Sequence, residues 1–409
     1  MKRGSHATAP DTTPVRRIVQ PLALAASAVV VLAACSTGGK SNSGTNASAD
    51  DGKNAGPAAI AVEPGDANAR VPVSQKVTVR ARGGSLSSVE VGSPGPGTLS
   101  GTWSKGKSVW TSTTPLAPGA TYTVKANGKT SGGAALNKTA SFTTEAAKDT
   151  FVGEYYPDKG AKVGVAMPVS ITFNKPIRDK AVVERKLKVT ASPAVAGAWS
   201  WMKDRNGKDR IDFRPEKFWK SGTAVTLTMD LAGVDAGGGV YGTQQRVVTF
   251  TIGDAVTSTV DVGKKTMTVA KNGRTLRTLK ISSGKKGFET WNGTMVVLSK
   301  VPTIRMNSRT VGIFGPEAYN LGSVKWDVQL TTSGTYVHAA PWNAGKFGVV
   351  NGSHGCIGMS TSDANRFYDQ VHLGDPVTVV NSVDTVAVNN GYGDWNVDWA
   401  TWRKGSALD

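Results

Sequence analysis

Residues 165–174 read Val-Ala-Met-Pro-Val-Ser-Ile-Thr-Phe-Asn, a stretch whose second half alternates between apolar and polar side chains. Such alternation is typical of a β-strand that buries one face. Residues 71–79 read Val-Pro-Val-Ser-Gln-Lys-Val-Thr-Val and resemble this stretch. Each segment belongs to a block of short alternating runs, so the sequence predicts one β-rich fold that occurs twice.

The two blocks cover residues 58–148 and 149–253, and their final segments are also alike. Residues 246–252 (Arg-Val-Val-Thr-Phe-Thr-Ile) close the second block as residues 140–144 (Ala-Ser-Phe-Thr-Thr) close the first. Regular short strands between Gly- and Pro-rich turns are typical of β-sandwiches. We therefore predict two tandem immunoglobulin-like β-sandwiches. Neither contains cysteine or histidine, which favours a role as spacers over a role as binding sites.

A third β-rich domain is predicted over residues 254–383. It contains five alternating or β-branched runs that read as strands, at residues 258–262, 265–270, 274–282, 294–300 and 377–380. One principal helix is expected over residues 364–371, because the cap-type residues from Ser360 onward precede it and Gly374 can end it.

Residues 384–409 form a Trp-rich tail. Trp395, Trp399 and Trp402 are spaced by four and three residues, which places them on one face of a short helix. We expect this face to pack on a neighbouring domain, with stacking on a glycan as the alternative.

Composition limits the classes of function. The 409 residues include 48 Lys and Arg against 30 Asp and Glu, a formal net charge of +18, which favours anionic partners such as wall polymers or lipid headgroups. The length suits two or three domains. The two cysteines, Cys35 and Cys356, exclude a disulfide-rich scaffold and a Cys-rich zinc ribbon.

The amino terminus reads as an export signal. Residues 1–34 combine a basic start with an apolar run that is shorter than the roughly 20 residues needed to span a bilayer. The run ends Leu-Ala-Ala-Cys at Cys35 and resembles the lipobox of bacterial lipoproteins, in which the cysteine is lipidated. The alternative is an ordinary signal peptide that is cut nearby.

Residues 35–57 follow as a linker rich in Gly, Ser, Thr and Asn, a composition that cannot bury enough apolar surface to fold. Together with the signal, it predicts an extracytoplasmic protein within the cell wall, anchored by Cys35 to the outer face of the cytoplasmic membrane. Nucleic acid is therefore not expected as a partner.

The chemistry of the chain is concentrated around Cys356. If Cys35 is lipidated, Cys356 has no partner for a disulfide, and it lies in Ser353-His-Gly-Cys356 with His338 upstream. A cysteine attacks as the thiolate, so a neighbouring base must remove its proton. His338 or His354 can do so. Gly355 frees backbone N–H groups that can stabilise an oxyanion.

Two other interpretations remain open from the residues alone. A zinc site could be built from His338, His354, Cys356 and His372, although the two-residue spacing of His354 and Cys356 is shorter than usual for zinc ligands. Cys356 could instead be a buried structural cysteine, although its polar, Gly-flanked setting is unusual for a core. His372, at the predicted helix end, is expected to complement the helix dipole.

The spacing of His338, 14 further residues and then Ser-His-Gly-Cys resembles the signature of the bacterial L,D-transpeptidases, which have a catalytic domain of the YkuD type. The flanking residues 334–342 also resemble that family. The order of lipobox, two immunoglobulin-like domains, catalytic domain and Trp-bearing tail is similar to its actinobacterial members. No metal or organic cofactor is implied.

The resemblance implies a role for each matching residue. Cys356 would attack a peptidoglycan tetrapeptide stem, release D-alanine and form a thioester, which an acceptor amine on a second stem would resolve into a 3→3 cross-link. His338 would be the general base, held by the backbone carbonyl of Ala339. His354, Ser353 and Gly355 would shape the loop and its oxyanion donors.

Further implications of the resemblance concern binding and inhibition. Tyr319, Met306 and Trp342 would form the lid and pocket around the cysteine, and carbapenems would acylate it. Gly358 departs from the family, which often has Asn or Arg there. Two alternative functions stay open: an L,D-carboxypeptidase that uses water as acceptor, and a noncatalytic wall-binding lipoprotein.

Overall fold

The computed structural model describes residues 57–94 and 97–408, and the predicted signal peptide and Cys35 lie outside these residues. The described chain is mainly β, as predicted. In these two ranges, no helix is both long enough and apolar enough to cross a membrane.

The first sandwich packs a four-stranded sheet, in the order β1-β3-β7-β6, against a five-stranded sheet, in the order β2-β9-β8-β4-β5. Its strands are β1 (Ala59–Glu63), β2 (Asn68–Val71), β3 (Thr78–Arg82), β4 (Gly84–Ser93), β5 (Gly97–Thr98), β6 (Gly101–Trp103), β7 (Val109–Ser112), β8 (Thr121–Thr130) and β9 (Ala135–Thr144). Alternate residues of the long strand β8 are buried, and the stacked rings of Tyr122 and Phe142 join it to β9.

The second sandwich has two four-stranded sheets, β11-β13-β16-β15 and β12-β19-β17-β14, and a parallel pair, β10-β18. Its strands are β10 (Asp149–Phe151), β11 (Gly153–Tyr156), β12 (Lys162–Val163), β13 (Val169–Phe173), β14 (Leu187–Ser192), β15 (Gly197–Lys203), β16 (Asp209–Pro215), β17 (Ala224–Asp230), β18 (Val240–Gly242) and β19 (Gln245–Ile252). Its short helix is α1 (Lys180–Glu184).

The two similar stretches, residues 71–79 and 165–174, share the same local structure. In each, a turn precedes a strand, β3 in the first sandwich and β13 in the second. Pro72 begins the first turn and Pro168 lies between the second turn and β13; neither has an N–H to donate to a sheet. Each stretch is therefore a turn and a strand rather than one continuous strand, and the likeness between the two blocks extends to this detail.

The third domain contains a five-stranded sheet, β22-β21-β20-β28-β23, and a four-stranded sheet, β24-β25-β26-β27. Its strands are β20 (Val256–Asp261), β21 (Thr266–Lys271), β22 (Arg274–Lys280), β23 (Gly293–Val296), β24 (Ser299–Asn307), β25 (Asn320–Gln329), β26 (Tyr336–Ala339), β27 (Ile357–Met359) and β28 (Pro376–Val380). The single strand predicted over residues 294–300 is wrong: the chain changes sheets there, between β23 and β24.

The principal helix, α2 (Thr361–Gln370), covers the core of the third domain. The side chain of Ser360 caps it by accepting a hydrogen bond from the backbone N–H of Asp363, as the sequence predicts. The helix ends four residues before Gly374, so Gly374 does not end it. Gly374 instead takes a positive φ of 91° where the chain passes close to Gly164 of the second sandwich.

The tail packs on the second sandwich. Trp395 belongs to a short 3-10 helix (Asp394–Asn396), and Trp399 and Trp402 belong to α3 (Trp399–Arg403). All three rings surround the guanidinium of Arg214, with its carbon 4.6 to 5.4 Å from their centroids. The predicted single helix is thus two pieces, whereas the predicted packing on a neighbouring domain is confirmed.

Candidate active site

His338 and Cys356 lie at two adjacent parallel strands. His338 lies on β26 and pairs in register with Gly358 on β27, and Cys356 immediately precedes β27. Alternate residues of β26 and β27 face the apolar core, among them Val337, Ala339 and Ile357. Because side chains alternate along a strand, His338 and Cys356 lie on the opposite face of the same sheet.

The imidazole of His338 is fixed in one tautomer. Its Nδ1 lies 2.8 Å from the backbone oxygen of Ala339, and since a carbonyl only accepts, Nδ1 carries the hydrogen and Nε2 is free to accept a proton. The ring of Trp342 stacks on it with the centroids 5.8 Å apart. Burial lowers the pKa of His338, so the ring is neutral near pH 7.

The thiol of Cys356 is enclosed and protonated at rest. Its side chain is 8% exposed, and Sγ lies 3.6 Å from the backbone oxygen of Gly334, to which it donates. Burial raises the pKa of the thiol to about 11, against a smaller lowering by a hydrogen bond from the backbone of Tyr336. The sulfur therefore needs a base before it can attack, and His338, on the same face of the sheet, has an Nε2 that is free to accept a proton.

The turn that presents Cys356 is held by its own polar groups. Ser353 Oγ accepts from the N–H of Gly355 at 3.1 Å and donates to the backbone oxygen of Cys356. Thr290 Oγ1 donates to the backbone oxygen of Gly355 at 2.9 Å. Gly355 has a φ of 112°, which residues with a side chain rarely adopt. The motif thus requires glycine at this position because of its backbone.

His354, the other candidate base, has its Nε2 engaged by a carboxylate. Its Nε2 lies 2.7 Å from Glu317 Oε2, and the same oxygen accepts from Lys285 Nζ at 2.6 Å. The rings of Phe288 and Tyr319 pack on its imidazole with the centroids 4.8 and 5.1 Å away. Sequence reasoning missed Glu317 and Lys285, because each is remote from the motif in the chain.

A cavity of about 380 Å³ opens beside the motif. The cavity is lined by the segment between β24 and β25, by the motif, by neighbouring loops and by one residue of the second sandwich. The lining residues include Val311, Ile313 and Tyr319 of that segment, His354 and Gly355 of the motif, Thr290, Trp291 and Gly334 of the loops, and Arg205 of the second sandwich. Arg205 comes from the turn between β15 and β16. The second sandwich therefore contributes a cation to this cavity. Its predicted role as a spacer did not include such a contribution.

The three predicted pocket residues differ in placement. Tyr319 lines the cavity, and burial, with a smaller contribution from the Cys356 charge, raises the pKa of its hydroxyl. Trp342 covers His338 and keeps 49% of its surface exposed. Met306 lies on β24 opposite Leu321 and is not one of the described residues that line the cavity.

The zinc alternative finds no support in this geometry. In the described part of the chain, His, Cys, Asp and Glu side chains form no group of three or more that could hold a metal ion. His372 has a side chain that is 63% exposed, with Nδ1 3.7 Å from Asp375 Oδ2, just beyond the end of α2.

At Gly358, an added Cβ would lie 2.9 Å from that of Ala340, so a larger residue there requires a local shift.

Two family models match the chain. Residues 68–235 match a bacterial immunoglobulin-like domain, and residues 255–379 match the YkuD L,D-transpeptidase catalytic domain. The second match contains β26, β27 and both members of the thiol–imidazole pair.

Similar proteins come from Mycobacterium tuberculosis. L,D-transpeptidase 2 of strain CDC 1551 / Oshkosh is 38% identical over 340 residues, which are 82% of this chain and 82% of that protein. L,D-transpeptidase 5 of strain H37Rv is 31% identical over 353 residues, 85% of this chain and 77% of that protein. A solved structure of LdtMt1 in complex with imipenem matches 57% of this chain and 99% of its own, with 34% identity and a TM-score of 0.49. On the extent of the sequence similarity, the chain belongs to the L,D-transpeptidase family.

Proposed function

We propose that this L,D-transpeptidase forms 3→3 cross-links between peptidoglycan stems through a thioester on Cys356. The observation that supports the proposal is the pairing of β26 with β27, because it puts a buried thiol on the same face of the sheet as an imidazole whose Nδ1–H is fixed by Ala339. This is the arrangement of a nucleophile, a base and a group that orients the base.

In the first half-reaction, His338 Nε2 takes the proton of the thiol as Sγ attacks the carbonyl of the third stem residue, a diamino acid. The tetrahedral oxyanion collapses, the bond to the terminal D-alanine breaks, and His338 returns the proton to the leaving amine. The N–H groups near Gly355 and Cys356 are the candidates to stabilise the oxyanion, since the turn holds them in a fixed orientation.

In the second half-reaction, the side-chain amine of another stem attacks the thioester. His338 takes a proton from this amine, the carbon–sulfur bond breaks, and the sulfur leaves to be reprotonated. The enclosure of Cys356 favours the amine over water, because a dry site limits hydrolysis of the intermediate. Arg205, on the cavity wall, is a candidate to bind a carboxylate of the stem.

An L,D-carboxypeptidase would use the same acyl-enzyme and replace the amine with water. Incubating the purified protein with a disaccharide tetrapeptide and resolving the products by mass separates the two functions. We expect a cross-linked dimer with loss of one D-alanine. A trimmed monomer alone would assign the carboxypeptidase activity. Unchanged substrate, with the same result for Cys356→Ala, would favour a noncatalytic wall-binding protein.

We further propose that the protein acts outside the cytoplasmic membrane, within the cell wall, and is lipid-anchored through Cys35. The sequence of residues 1–34 and the excess of basic residues support this location. Mass spectrometry of the amino-terminal peptide from membranes tests the anchor. A diacylated Cys35 is expected, and an unmodified terminus at another residue would contradict it.

A further inference from the structure

Asp327, on β25, is a buried carboxyl group with no evident structural task. It is 1% exposed, and neither of its carboxylate oxygens has a hydrogen-bond partner among the residues that the structure describes. An unpaired carboxylate in an apolar interior is costly, and such a group is unusual enough to need an explanation.

The register of the sheet places Asp327 on the face that carries the thiol–imidazole pair. Val328 pairs with Val337 and belongs to the core on the opposite face. Side chains alternate along a strand, so Asp327 lies on the same face as Tyr336 and His338. Continuing the antiparallel register by one residue beyond the paired Val328 sets Asp327 opposite His338.

The groups that face Asp327 are those of the active site. Its negative charge acts to raise the pKa of both Cys356 and Tyr336. On the other flank its partner in β24 is the neutral Val301. In the described part of the chain, Asp327 makes no ion pair with a cation; the nearby Lys300 points away, its Nζ bonded to the backbone oxygen of Val371.

We propose that Asp327 controls the reactivity of Cys356 without touching the substrate: its carboxylate opposes formation of the thiolate, which forms readily only while Asp327 holds its proton. Two anions in a poorly solvated site repel each other. This inference rests on the proposed role of Cys356 as nucleophile. Burial raises the pKa of Asp327 to about 7, so its charge changes within the range in which the reaction would run.

The test compares the full-length wild type with Asp327→Asn, which keeps the shape and removes the charge. Thiolate formation is followed by its absorbance near 240 nm against pH, and acylation is followed by the loss of meropenem absorbance. In the variant, we expect the thiol to titrate at lower pH. We also expect acylation to be about three- to tenfold faster near pH 8 and unchanged near pH 5.5, where Asp327 is protonated in the wild type.

A matched control is Asp375→Asn. Asp375 is also 1% exposed and has one unpartnered oxygen within the described residues, but it lies beyond the end of α2. We expect it to leave the thiol titration unchanged. If Asp327→Asn lowers the acylation rate equally at every pH, Asp327 has only a packing role. If the variant is acylated more slowly than the wild type above pH 7, the carboxylate of Asp327 stabilises the His338 imidazolium. Either result overturns the proposal.

The two readouts also separate this inference from the proposed function. If the wild-type thiol titrates and no meropenem adduct forms, the role of Cys356 as nucleophile fails. If the adduct forms and Asp327→Asn changes neither the titration nor the pH profile, the nucleophile stands and the role of Asp327 fails.

Discussion

Two buried polar regions of this protein are built in opposite ways. Where the tail meets the second sandwich, Arg210 binds Asp212 through Nε at 2.8 and 3.0 Å and through Nη2, and its Nη1 donates to the backbone oxygen of Gly391 at 3.0 Å. Asp394 lies 3.4 Å from the same guanidinium. In the catalytic site, by contrast, the thiol of Cys356 and the carboxyl of Asp327 are buried with weak or no partners.

Paired buried charges and unpaired buried groups have different effects: the first contribute to stability and the second to reactivity. Breaking a paired buried charge leaves its partner uncompensated, so such pairs hold elements in place. A buried group without a charged partner has a pKa that departs from its usual value, and its proton remains available for transfer. The interface charges would therefore control unfolding, and the active-site groups would control rate.

The largest effect is expected at the base. In His338→Ala, acylation by meropenem should slow by about 10² to 10⁴, because no group remains to take the proton of a thiol whose pKa is about 11. Stopped-flow absorbance measures the rate. Raising the pH should partly restore it. His372→Ala, whose side chain is exposed, is the control and should react normally; equal rates in both variants would remove His338 from the mechanism.

The interface should respond in stability instead. Arg210→Met leaves Asp212 and Asp394 buried together, both 0% exposed, which should cost about 3 to 5 kcal/mol in the free energy of unfolding. Urea denaturation measures the change. The control, Lys271→Met, breaks the half-exposed pair with Asp254 and should change the stability little, because solvent screens such a pair. Similar losses in the two variants would mean that the buried pairs of Arg210 stabilise the fold no more than an exposed pair does.

The charge of Asp327 is expected to make both reactivity and stability depend on pH. Because its folded pKa, about 7, exceeds the unfolded value near 3.9, the folded state binds more protons between these values, and this group makes stability fall as the pH rises from about 4 through 7. Asp327→Asn removes that loss. Its melting temperature should match the wild type near pH 4 and exceed it above pH 8 by roughly 5 °C. A constant difference across the pH range would contradict this.

The smallest effect is expected at the clasp between Glu317, Lys285 and His354. Glu317 has a side chain that is 42% exposed, and exposed ion pairs contribute little because solvent screens them. Glu317→Gln should therefore slow acylation by no more than about fivefold. Glu216→Gln, an exposed residue of the second sandwich, is the control. A hundredfold loss would mean that Glu317 takes part in the chemistry.

Sequence patterns predicted what depends on short-range order. The cap at Ser360, the alternation in β19 and the Ser-His-Gly-Cys turn each lie within a few residues, and their physical signals are local. The spacing between His338 and Cys356 identified the site through its resemblance to the L,D-transpeptidase signature. In the structure, this spacing is the connection between the parallel strands β26 and β27, which cannot be short.

What the sequence did not reveal depends on contacts between distant segments. Glu317 reaches His354 across 37 residues, and Arg205 enters the cavity from another domain. The isolated acidic residue Asp327 looks like any residue of an exposed strand until its neighbours are known. Such groups have no periodicity or motif, since their burial is set by packing alone.

In the proposed function, Cys356 is a nucleophile that forms an acyl-enzyme. Intact mass spectrometry of the full-length protein after exposure to meropenem, followed by peptide mapping, tests it most directly. We expect the mass to rise by one drug molecule on the peptide that contains Cys356, and no rise in Cys356→Ala. An unmodified, folded wild type at millimolar drug, or the same adduct on the variant, would contradict the account.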